Sequence, residues 1–224
     1  MLVLTWNLFH GRAQPAAGRD LQAQFEALLA GWTWDVALLQ EVPPWWAPGL
    51  ARACDADARA ATTSRNQLPA LRRALATRLP DVVKSAGGGA NVILVRSAAG
   101  RIAGHRRVRL RRWPERRVCH AVALEGRPWC ANLHAQAHSP ARAGADIARA
   151  AAATLAWARG APAILGGDFN VRAPAAAGFE HLGGAGVDHV LGHRVVAGAP
   201  ARVLDRGSLS DHAPVVVEAL PEAP

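Results

Sequence analysis

The chain has 224 residues, enough for one good-sized domain, and 50% of them are hydrophobic, so it can bury a real core. No uncharged apolar run is long enough to span a membrane, and no export leader is recognised at the start of the sequence. The three cysteines lack the spacing of a zinc site or a disulfide framework. We therefore expect a cytoplasmic, monomeric protein with reduced thiols and no indicated protein partner.

The formal net charge is +9, and nearly all of the positive charge comes from arginine. A basic surface attracts phosphates, so this charge is compatible with a polyanionic partner such as nucleic acid. A coding bias toward alanine, arginine, glycine and proline would give the same charge with ordinary solvated arginines. Composition alone leaves both interpretations open.

The first half of the chain is predicted to alternate strands with helices. Hydrophobic periodicity predicts strands over 1–7, 35–41 and 91–95, and helices over 20–30 and 69–79. Alternate residues of the first strand lie on opposite faces, and the leucines of the second helix share one side.

The second half continues this alternation. Residues 101–117 hold eight arginines, partly alternating with apolar residues as in an exposed strand or loop. A hairpin is predicted around Glu125-Gly126, and a helix is predicted from Ser139-Pro140 to Arg159 with the serine as its N-cap. Further strands are predicted over 119–124, 128–134, 163–167, 187–191, 195–196 and 214–218.

The order of these elements predicts the fold class. Strands outnumber helices and the two kinds are interleaved, which indicates an α/β protein with helices packed outside sheets. No repeat, linker or composition change divides the sequence. We expect residues 1–224 to form a single domain.

Four of the 17 carboxylates lie at or beside the ends of apolar runs, namely Glu41, Asp168, Asp188 and Asp211. Charges at strand ends can gather at one edge of a sheet, where they would repel each other by several kcal/mol. A divalent cation usually neutralises such a cluster, and hard oxygen ligands favour Mg²⁺, Mn²⁺ or Ca²⁺ over Zn²⁺. Taken singly, each carboxylate could instead cap a turn or pair with an arginine.

Six short motifs follow one another between residues 3 and 217. They are TWN (5–7), LLQE (38–41), NLH (132–134), GGDFN (166–170), VDHVL (187–191) and SDHAPV (210–215). Their order and separation resemble those of the endonuclease/exonuclease/phosphatase superfamily, the DNase I-like group. The resemblance implies a four-layered α/β sandwich, with two mixed β-sheets packed face to face and helices outside. It also implies cleavage of phosphodiester or phosphomonoester bonds with Mg²⁺.

The resemblance implies a metal site formed by one residue from each of three motifs. Glu41 resembles the principal metal ligand, and Asn7 resembles the asparagine beside the metal and the scissile phosphate. Asp211 resembles a further carboxylate near the metal. We therefore expect Mg²⁺ or Mn²⁺ as the cofactor.

Five other residues resemble the catalytic groups of this superfamily. Asp168 resembles the carboxylate that positions or activates the attacking water, and Asn170 resembles the amide that orients this water or the phosphate. His212 resembles a base or a donor to the phosphoryl oxygen, and Asp188 resembles the partner that holds its ring. His134 matches the position of a second histidine near the leaving group. Because Asp168 and Asn170 are two apart on a segment expected to be extended, they are predicted to project to the same side.

Three more residues are predicted to contact the substrate. Asn91 falls where many members of the superfamily carry an asparagine near the phosphate. Arg111 and Arg112 lie on the arginine-rich segment, which could contact phosphates that flank the scissile bond.

We therefore expect a divalent-metal-dependent phosphodiester hydrolase that acts as a nuclease on nucleic acid. The first alternative is a phosphatase or phosphodiesterase acting on a small molecule or a lipid headgroup, because the superfamily shares its motifs across these substrates. An alternative of another class is a nucleic-acid-binding module without catalysis.

Overall fold

Thirteen strands and five helices make up the computed structural model, which describes residues 1–63 and 66–222. In chain order the strands are β1 (Leu2–Asn7), β2 (Val36–Val42), β3 (Ala56–Thr62), β4 (Ala90–Arg96), β5 (Ile102–Arg111), β6 (Arg117–Leu124), β7 (Trp129–His134), β8 (Ala163–Asp168), β9 (Glu180–Ala185), β10 (Asp188–His193), β11 (Val195–Ala197), β12 (Arg202–Val203) and β13 (Val215–Pro221). The helices are α1 (Gln22–Gly31), α2 (Ala47–Ala53), α3 (Pro69–Arg78), α4 (Pro80–Val83) and α5 (Pro140–Ala158).

The strands form two mixed sheets. The first has the order β11-β13-β1-β2-β4-β3, with β12 beside β13, and the second has the order β5-β6-β7-β8-β10-β9. Each sheet has one parallel pair at its centre, β1 with β2 and β7 with β8, and the other pairs are antiparallel. This arrangement confirms the predicted α/β fold of two mixed sheets.

Three apolar clusters separate the four layers. The inner cluster lies between the sheets and joins residues such as Val3 and Leu38 of the first sheet to Val122 and Ile164 of the second. A second cluster packs the outer face of the first sheet against α1 and α2. A third packs the outer face of the second sheet against α5. The helices therefore cover the two outer faces, as expected.

Alternation along β1 assigns its two faces. Leu4 and Trp6 belong to the outer cluster beneath α1, whereas Val3 belongs to the cluster between the sheets. The predicted alternation of this strand is confirmed.

Two of the predicted helices match the structure with small shifts at their ends. The predicted helix at 20–30 begins at Gln22, whose N–H donates to Asp20 Oδ1 at 3.0 Å. Ser139 is the N-cap of α5, and its Oγ accepts from the N–H of Arg142 at 3.4 Å. No helix among residues 1–63 and 66–222 is long and apolar enough to cross a membrane.

The helix predicted at 69–79 forms α3, but its leucines do not pack into a core. Leu71, Leu75 and Leu79 are 56%, 44% and 51% exposed. No residue of α3 is buried. Hydrophobic periodicity predicts the helix correctly because it reflects the local spacing of the leucines. It contains no information on whether another element covers the apolar side of the helix.

The arginine-rich segment forms β5, the edge strand of the second sheet. Its exposed residues include Arg106, Arg107 and Arg109. Charged side chains on an edge strand prevent pairing with another chain, which gives these arginines a structural role.

Candidate active site

The candidate site lies at one edge of both sheets. The parallel strands β1 and β2 end near Asn7 and Gln40, which are paired in register. In the second sheet, His134, Asp168 and Asp188 are register partners on three adjacent strands, β7, β8 and β10. Register partners on adjacent strands project to the same face, so these three side chains form a row.

A pair of buried amides joins the sheets beneath this row. Gln40 of β2 donates from Nε2 to Asn132 Oδ1 of β7 at 2.9 Å. Asn132 in turn donates from Nδ2 to the carbonyl oxygens of Leu39 and Val92 at 2.9 and 3.0 Å. The space between the sheets therefore changes from apolar to polar toward the site.

Glu41 enters the site through an irregularity in β2. Regular alternation after Gln40 would direct Glu41 to the opposite face of the sheet. The register shifts between Leu39 and Val42, and Glu41 has a left-handed backbone with φ of 50°. Such a bulge changes the direction of a side chain, at a cost of about 1–3 kcal/mol for the left-handed conformation. Glu41 Oε2 consequently lies 3.1 Å from His10 Nε2.

Asp168 is the central carboxylate of the site and is 1% exposed. Its Oδ2 accepts from Asn7 Nδ2 at 3.0 Å, and its Oδ1 accepts from the N–H of Asn170 at 2.9 Å. Its Oδ2 also lies 3.5 Å from His134 Nε2 and 3.9 Å from His212 Nε2. Asp168 therefore contacts residues from four of the six motifs.

Asp168 and Asp188 share a buried environment that disfavours charge. Burial and the charge of Asp188 raise the pKa of Asp168, although His212 and the hydrogen bond from Asn7 act in the opposite direction. Burial also raises the pKa of Asp188, against the effect of His212. Two buried carboxylates side by side require nearby positive charge to remain ionised.

His212 supplies part of that charge. Its Nδ1 lies 2.7 Å from Asp188 Oδ2, so its Nε2 faces Asp168 and also lies 4.0 Å from Asp211 Oδ1. Burial alone would lower the pKa of His212, but the hydrogen bond to Asp188 and the surrounding carboxylates outweigh it and raise the pKa to about 9. His212 is therefore an imidazolium near neutral pH.

His134 has the opposite protonation preference. Burial lowers the pKa of His134 well below its usual value, and the positive charges of Arg117 and His212 lower it further. Its Nε2 lies 3.5 Å from Asp168 Oδ2 and 4.0 Å from Glu41 Oε1. A neutral imidazole thus lies between the two carboxylates.

The loop that carries His212 is fixed by two residues of the core. Ser210 Oγ donates to the carbonyl oxygen of Asn7 at 2.6 Å and accepts from the N–H of His212 at 3.0 Å. Trp6 Nε1 donates to the carbonyl oxygen of His212 at 2.9 Å. The neighbouring TWN and SDH motifs therefore hold each other in place.

A cavity of about 440 Å³ opens beside these groups. Glu41 and His134 line it, together with Arg116, His138 and the ion pair between Arg117 and Glu115. A cavity that holds arginines as well as Glu41 suits a ligand that carries both a phosphate and a metal.

The donor set at this edge fits a hard divalent cation. Glu41, Asp168 and Asp211 offer carboxylate oxygens, the ligands that Mg²⁺ and Mn²⁺ prefer. Among the described residues, the group whose ligand atoms all lie within 4.8 Å of one another is a different one, Asp168, Asp188 and His212. That second group is less suitable, because the hydrogen bond between Asp188 and His212 already occupies two of its ligand atoms.

The structure brings most of the predicted site residues together. Those that lie at this edge are Asn7, Glu41, His134, Asp168, Asn170, Asp188, Asp211 and His212. The segment at Asn170 is not extended as expected, because β8 ends at Asp168 and Asn170 has φ of 53°. Asn170 Nδ2 donates to the carbonyl oxygen of Ala135 at 3.0 Å, which directs the amide toward the protein.

The predicted substrate-binding residues lie apart from the carboxylate cluster. Asn91 is fully buried, and its Nδ2 donates to the carbonyl oxygen of Val118 at 2.9 Å. Arg111 is held by α5, with its Nη2 3.0 Å from Asp146 Oδ1. Arg112 is exposed and lines a different cavity from the one that Glu41 and His134 line. A substrate contact by any of the three stays a prediction.

His10 and Ser210 were not identified as site residues from the sequence. His10 was unremarkable there, because its contact with Glu41 depends on a left-handed backbone at both residues. Ser210 is the first residue of the SDHAPV motif and differs from a catalytic serine, since its Oγ bonds only backbone groups. Its position directly before Asp211 was the available signal.

Comparison with known proteins agrees with this geometry. A model described as the Endonuclease/Exonuclease/phosphatase family matches residues 4–212. No curated protein sequence matches the chain at a significant level.

Several solved structures share the fold. A mannosyl-6-phosphatase from Bacteroides thetaiotaomicron VPI-5482 has a TM-score of 0.71 at 15% identity, over 98% of this chain and 99% of that one. An endonuclease/exonuclease/phosphatase from Bacteroides vulgatus has a TM-score of 0.73 at 12% identity, over 99% and 98% of the two chains. A humanized D. rerio TDP2 has a TM-score of 0.67 at 14% identity, over 98% of each chain. At these identities the likeness shows the fold, whereas the family match spans nearly the whole sequence. The chain therefore belongs to the endonuclease/exonuclease/phosphatase family.

Proposed function

We propose that this protein is a divalent-metal-dependent hydrolase of phosphodiester bonds and that its substrate is nucleic acid. The observation that carries the proposal is the position of Asp168. This buried carboxylate lies between His134 and the His212–Asp188 pair, and His134 and Glu41 line the adjoining cavity. Hydrolysis of a phosphate ester is accelerated by a base that activates water and by positive charge, from a cationic side chain or a metal, at the phosphoryl oxygens.

The chain's own residues can move and hold the required protons. Asp168 is suited to accept a proton from an attacking water, because its raised pKa makes it a stronger base than an exposed carboxylate. The His212 imidazolium is suited to donate from Nε2 to a phosphoryl oxygen and so to stabilise the charge that develops there. Asp188 holds the His212 ring through Nδ1 and keeps Nε2 directed at the substrate.

A metal would complete the site by adding positive charge and Lewis acidity at the phosphate. Glu41 and Asp211 are the residues that would hold it, with Asn7 beside them. Asn7 also orients Asp168 through the hydrogen bond of 3.0 Å from its Nδ2.

Nucleic acid is supported as the substrate class by charge. The net charge of +9 and the exposed arginines near the cavity attract a polyanion. The TDP2 proteins among the structural relatives share the fold but do not by themselves determine the substrate. A small phosphorylated molecule is the second candidate, because the cavity of about 440 Å³ is large enough for one. A relative with this fold is a mannosyl-6-phosphatase.

A substrate panel tests the proposal. The purified protein would be assayed with Mg²⁺ or Mn²⁺ on plasmid, single-stranded DNA, RNA, bis(p-nitrophenyl) phosphate, sugar phosphates and inositol phosphates. We expect turnover of nucleic acid and of the small diester, with loss of activity in excess EDTA. Asp168→Ala and His212→Ala should each lower kcat by about 10²- to 10⁴-fold.

His193→Asn is a matched control, because His193 lies at the far end of β10 from Asp188. It should retain the parent turnover. Activity confined to phosphomonoesters would show that the substrate is a small phosphorylated molecule and that the proposal of nucleic acid is wrong. Nucleic-acid binding without turnover of any ester would make the chain a binding module.

A further inference from the structure

A second cavity, of about 500 Å³, lies between the end of β5 and α5. Four arginines line it, namely Arg109, Arg111, Arg112 and Arg149, together with Trp113 and Asp146. Against one carboxylate, four guanidinium groups leave a large positive excess. We call this cavity the arginine groove.

The floor of the arginine groove is rigid. Asp146 is 1% exposed and receives hydrogen bonds from Arg111 Nε at 3.1 Å and from the N–H of Gln136 at 3.0 Å. Arg111 also donates to the carbonyl oxygen of Arg142 at 3.1 Å. Arg111 and Asp146 thus fasten β5 to α5 and neutralise each other.

The other three arginines are available to a ligand. Arg109, Arg112 and Arg149 are exposed, and they form no ion pair with the residues that the structure describes. Protection of the sheet edge can explain Arg109 on β5, but it cannot explain Arg149 on α5. Guanidinium groups from separate elements that face one groove are typical of a site for several phosphates.

Trp113 lies between the arginine groove and the catalytic cavity. It lines the groove, and the four residues that follow it, 114–117, line the cavity that contains Glu41 and His134. The side chain of Trp113 is 79% exposed. An exposed indole ring presents a large, flat apolar face on which a ligand ring can stack.

We propose that the arginine groove binds single-stranded nucleic acid that continues from the scissile phosphate, with a base stacked on Trp113 and phosphates on Arg109, Arg112 and Arg149. This inference rests on the proposed function and specifies its substrate. An exposed ring can stack on an unpaired base, whereas the bases of a duplex are already stacked on each other. Exposed aromatic rings next to a positive groove are the usual means of binding single strands without sequence preference.

The test measures binding of a fluorescently labelled single-stranded DNA of about eight nucleotides, a length within the range of known single-strand sites. Fluorescence anisotropy would be recorded in EDTA, so that no turnover occurs, over a series of salt concentrations. Trp113→Ala should weaken binding by about tenfold to a hundredfold, and Trp113→Phe should restore most of the loss. Arg149→Ala should flatten the plot of log K against log salt by about 0.7 for the lost phosphate contact, and Arg149→Lys should keep the slope.

Arg127→Ala is the matched control, because Arg127 is exposed in the turn at the opposite end of β6 from Arg117. It should leave affinity and salt slope unchanged. If Trp113→Ala and Arg149→Ala bind the oligonucleotide as Arg127→Ala does, the proposal is wrong. Tighter binding of blunt duplex than of single strand, or full competition by poly-glutamate, would also overturn it.

These outcomes are distinguishable from failure of the proposed function. Hydrolysis of bis(p-nitrophenyl) phosphate by the parent protein depends on the catalytic cavity alone. If the parent hydrolyses the diester and the groove variants bind the oligonucleotide as the parent does, the proposed phosphodiesterase activity stands and the proposed nucleic-acid site in the arginine groove is wrong. If oligonucleotide binding depends on Trp113 but no ester is hydrolysed, the proposed binding site in the arginine groove stands and the proposed enzymatic activity is wrong.

Discussion

Gln40 and Asn132 form a hydrogen bond of 2.9 Å across the two sheets, directly beneath the row of His134, Asp168 and Asp188. They belong to the LLQE and NLH motifs, whose terminal residues Glu41 and His134 lie in the site above them. Asn132 Nδ2 also donates to carbonyl oxygens of β2 and β4, so a single side chain ties together three strands. We infer that these amides fix the separation of the sheets at the depth where the catalytic side chains begin.

The amide pair gives a prediction about stability. Asn132→Ala should lower the free energy of unfolding by about 1–3 kcal/mol, because it leaves buried carbonyl oxygens without donors. Gln40→Ala should also be destabilising, and the double variant should lose less than the sum of the two. Urea denaturation would measure all three. Gln67→Ala, at an exposed glutamine, is the control. Strict additivity of the two losses would show that the hydrogen bond contributes nothing.

Much of the site could be predicted from the sequence because its residues lie at the ends of regular strands. Asp168 and Asp188 adjoin apolar runs, and once their strands pair, the register brings them side by side. The positions of these carboxylates after apolar runs were enough to predict an acidic edge of the sheet without any family resemblance. The resemblance then added the roles of the individual residues.

The remainder depends on backbone conformations that periodicity does not encode. Glu41, Asn170 and Ser210 all have positive φ. A prediction based on alternating faces assumes an extended backbone, so it assigns the wrong direction to the side chains of such residues. Strand β3 was missed because its alanine-rich sequence, ADARAAT, has little hydrophobic contrast. Its formation depends on pairing with β4, which is a tertiary effect.

Gly167 allows β7 and β8 to approach closely beside the site. It has φ of 140°, and a Cβ at this position would overlap the carbonyl oxygen of Leu133. Gly167→Ala should therefore lower the free energy of unfolding by at least about 2 kcal/mol and displace Asp168. Gly144→Ala is the control, since Gly144 lies in α5 with open space around it and alanine favours a helix by about 1 kcal/mol. Thermal unfolding compares the two, and an equally stable Gly167→Ala would contradict the packing described.

Glu41 gives a prediction about the metal. Glu41→Gln keeps the shape of the side chain and removes its charge, so the Mg²⁺ or Mn²⁺ concentration needed for half-maximal activity should rise and kcat should fall. Titration of each metal into EDTA-treated protein would measure this change. Glu180→Gln, at an exposed glutamate on β9, should respond to metal as the parent does. Equal metal requirements in both variants would exclude Glu41 as a ligand.

Asp188 controls the protonation of His212. Asp188 is the largest of the causes that raise the pKa of His212 to about 9, with Asp168 and Asp211 adding to it, so Asp188→Asn should lower that pKa. The imidazolium is then lost at lower pH, so the alkaline limb of the rate profile should shift to lower pH. The histidine signals in NMR spectra recorded over a pH series would report the pKa directly in metal-free protein. An unchanged His212 titration in Asp188→Asn would contradict this account.

His120 gives a prediction about acid stability away from the site. It is fully buried on β6, its Nδ1 lies 3.1 Å from His105 Nε2, and its Nε2 has no hydrogen-bond partner among the described residues. Burial and the neighbouring His105 lower the pKa of His120 to about 3, compared with about 6.5 in an unfolded chain. Between these values the unfolded state binds a proton that the folded state does not, so stability falls as pH falls from about 6.5 toward 3.

The slope attributable to His120 is about 1.4 kcal/mol per pH unit in that window. His120→Leu should remove it, so that the stability of the parent minus that of the variant should be lower at pH 4.5 than at pH 7, whatever the variant costs through packing. Urea denaturation at the two pH values would measure this difference, with His193→Gln as the control at a less buried histidine on β10. The same dependence on pH in the parent and in His120→Leu would mean that His120 does not resist protonation in the folded protein, and that buried carboxylates or other histidines set its acid stability.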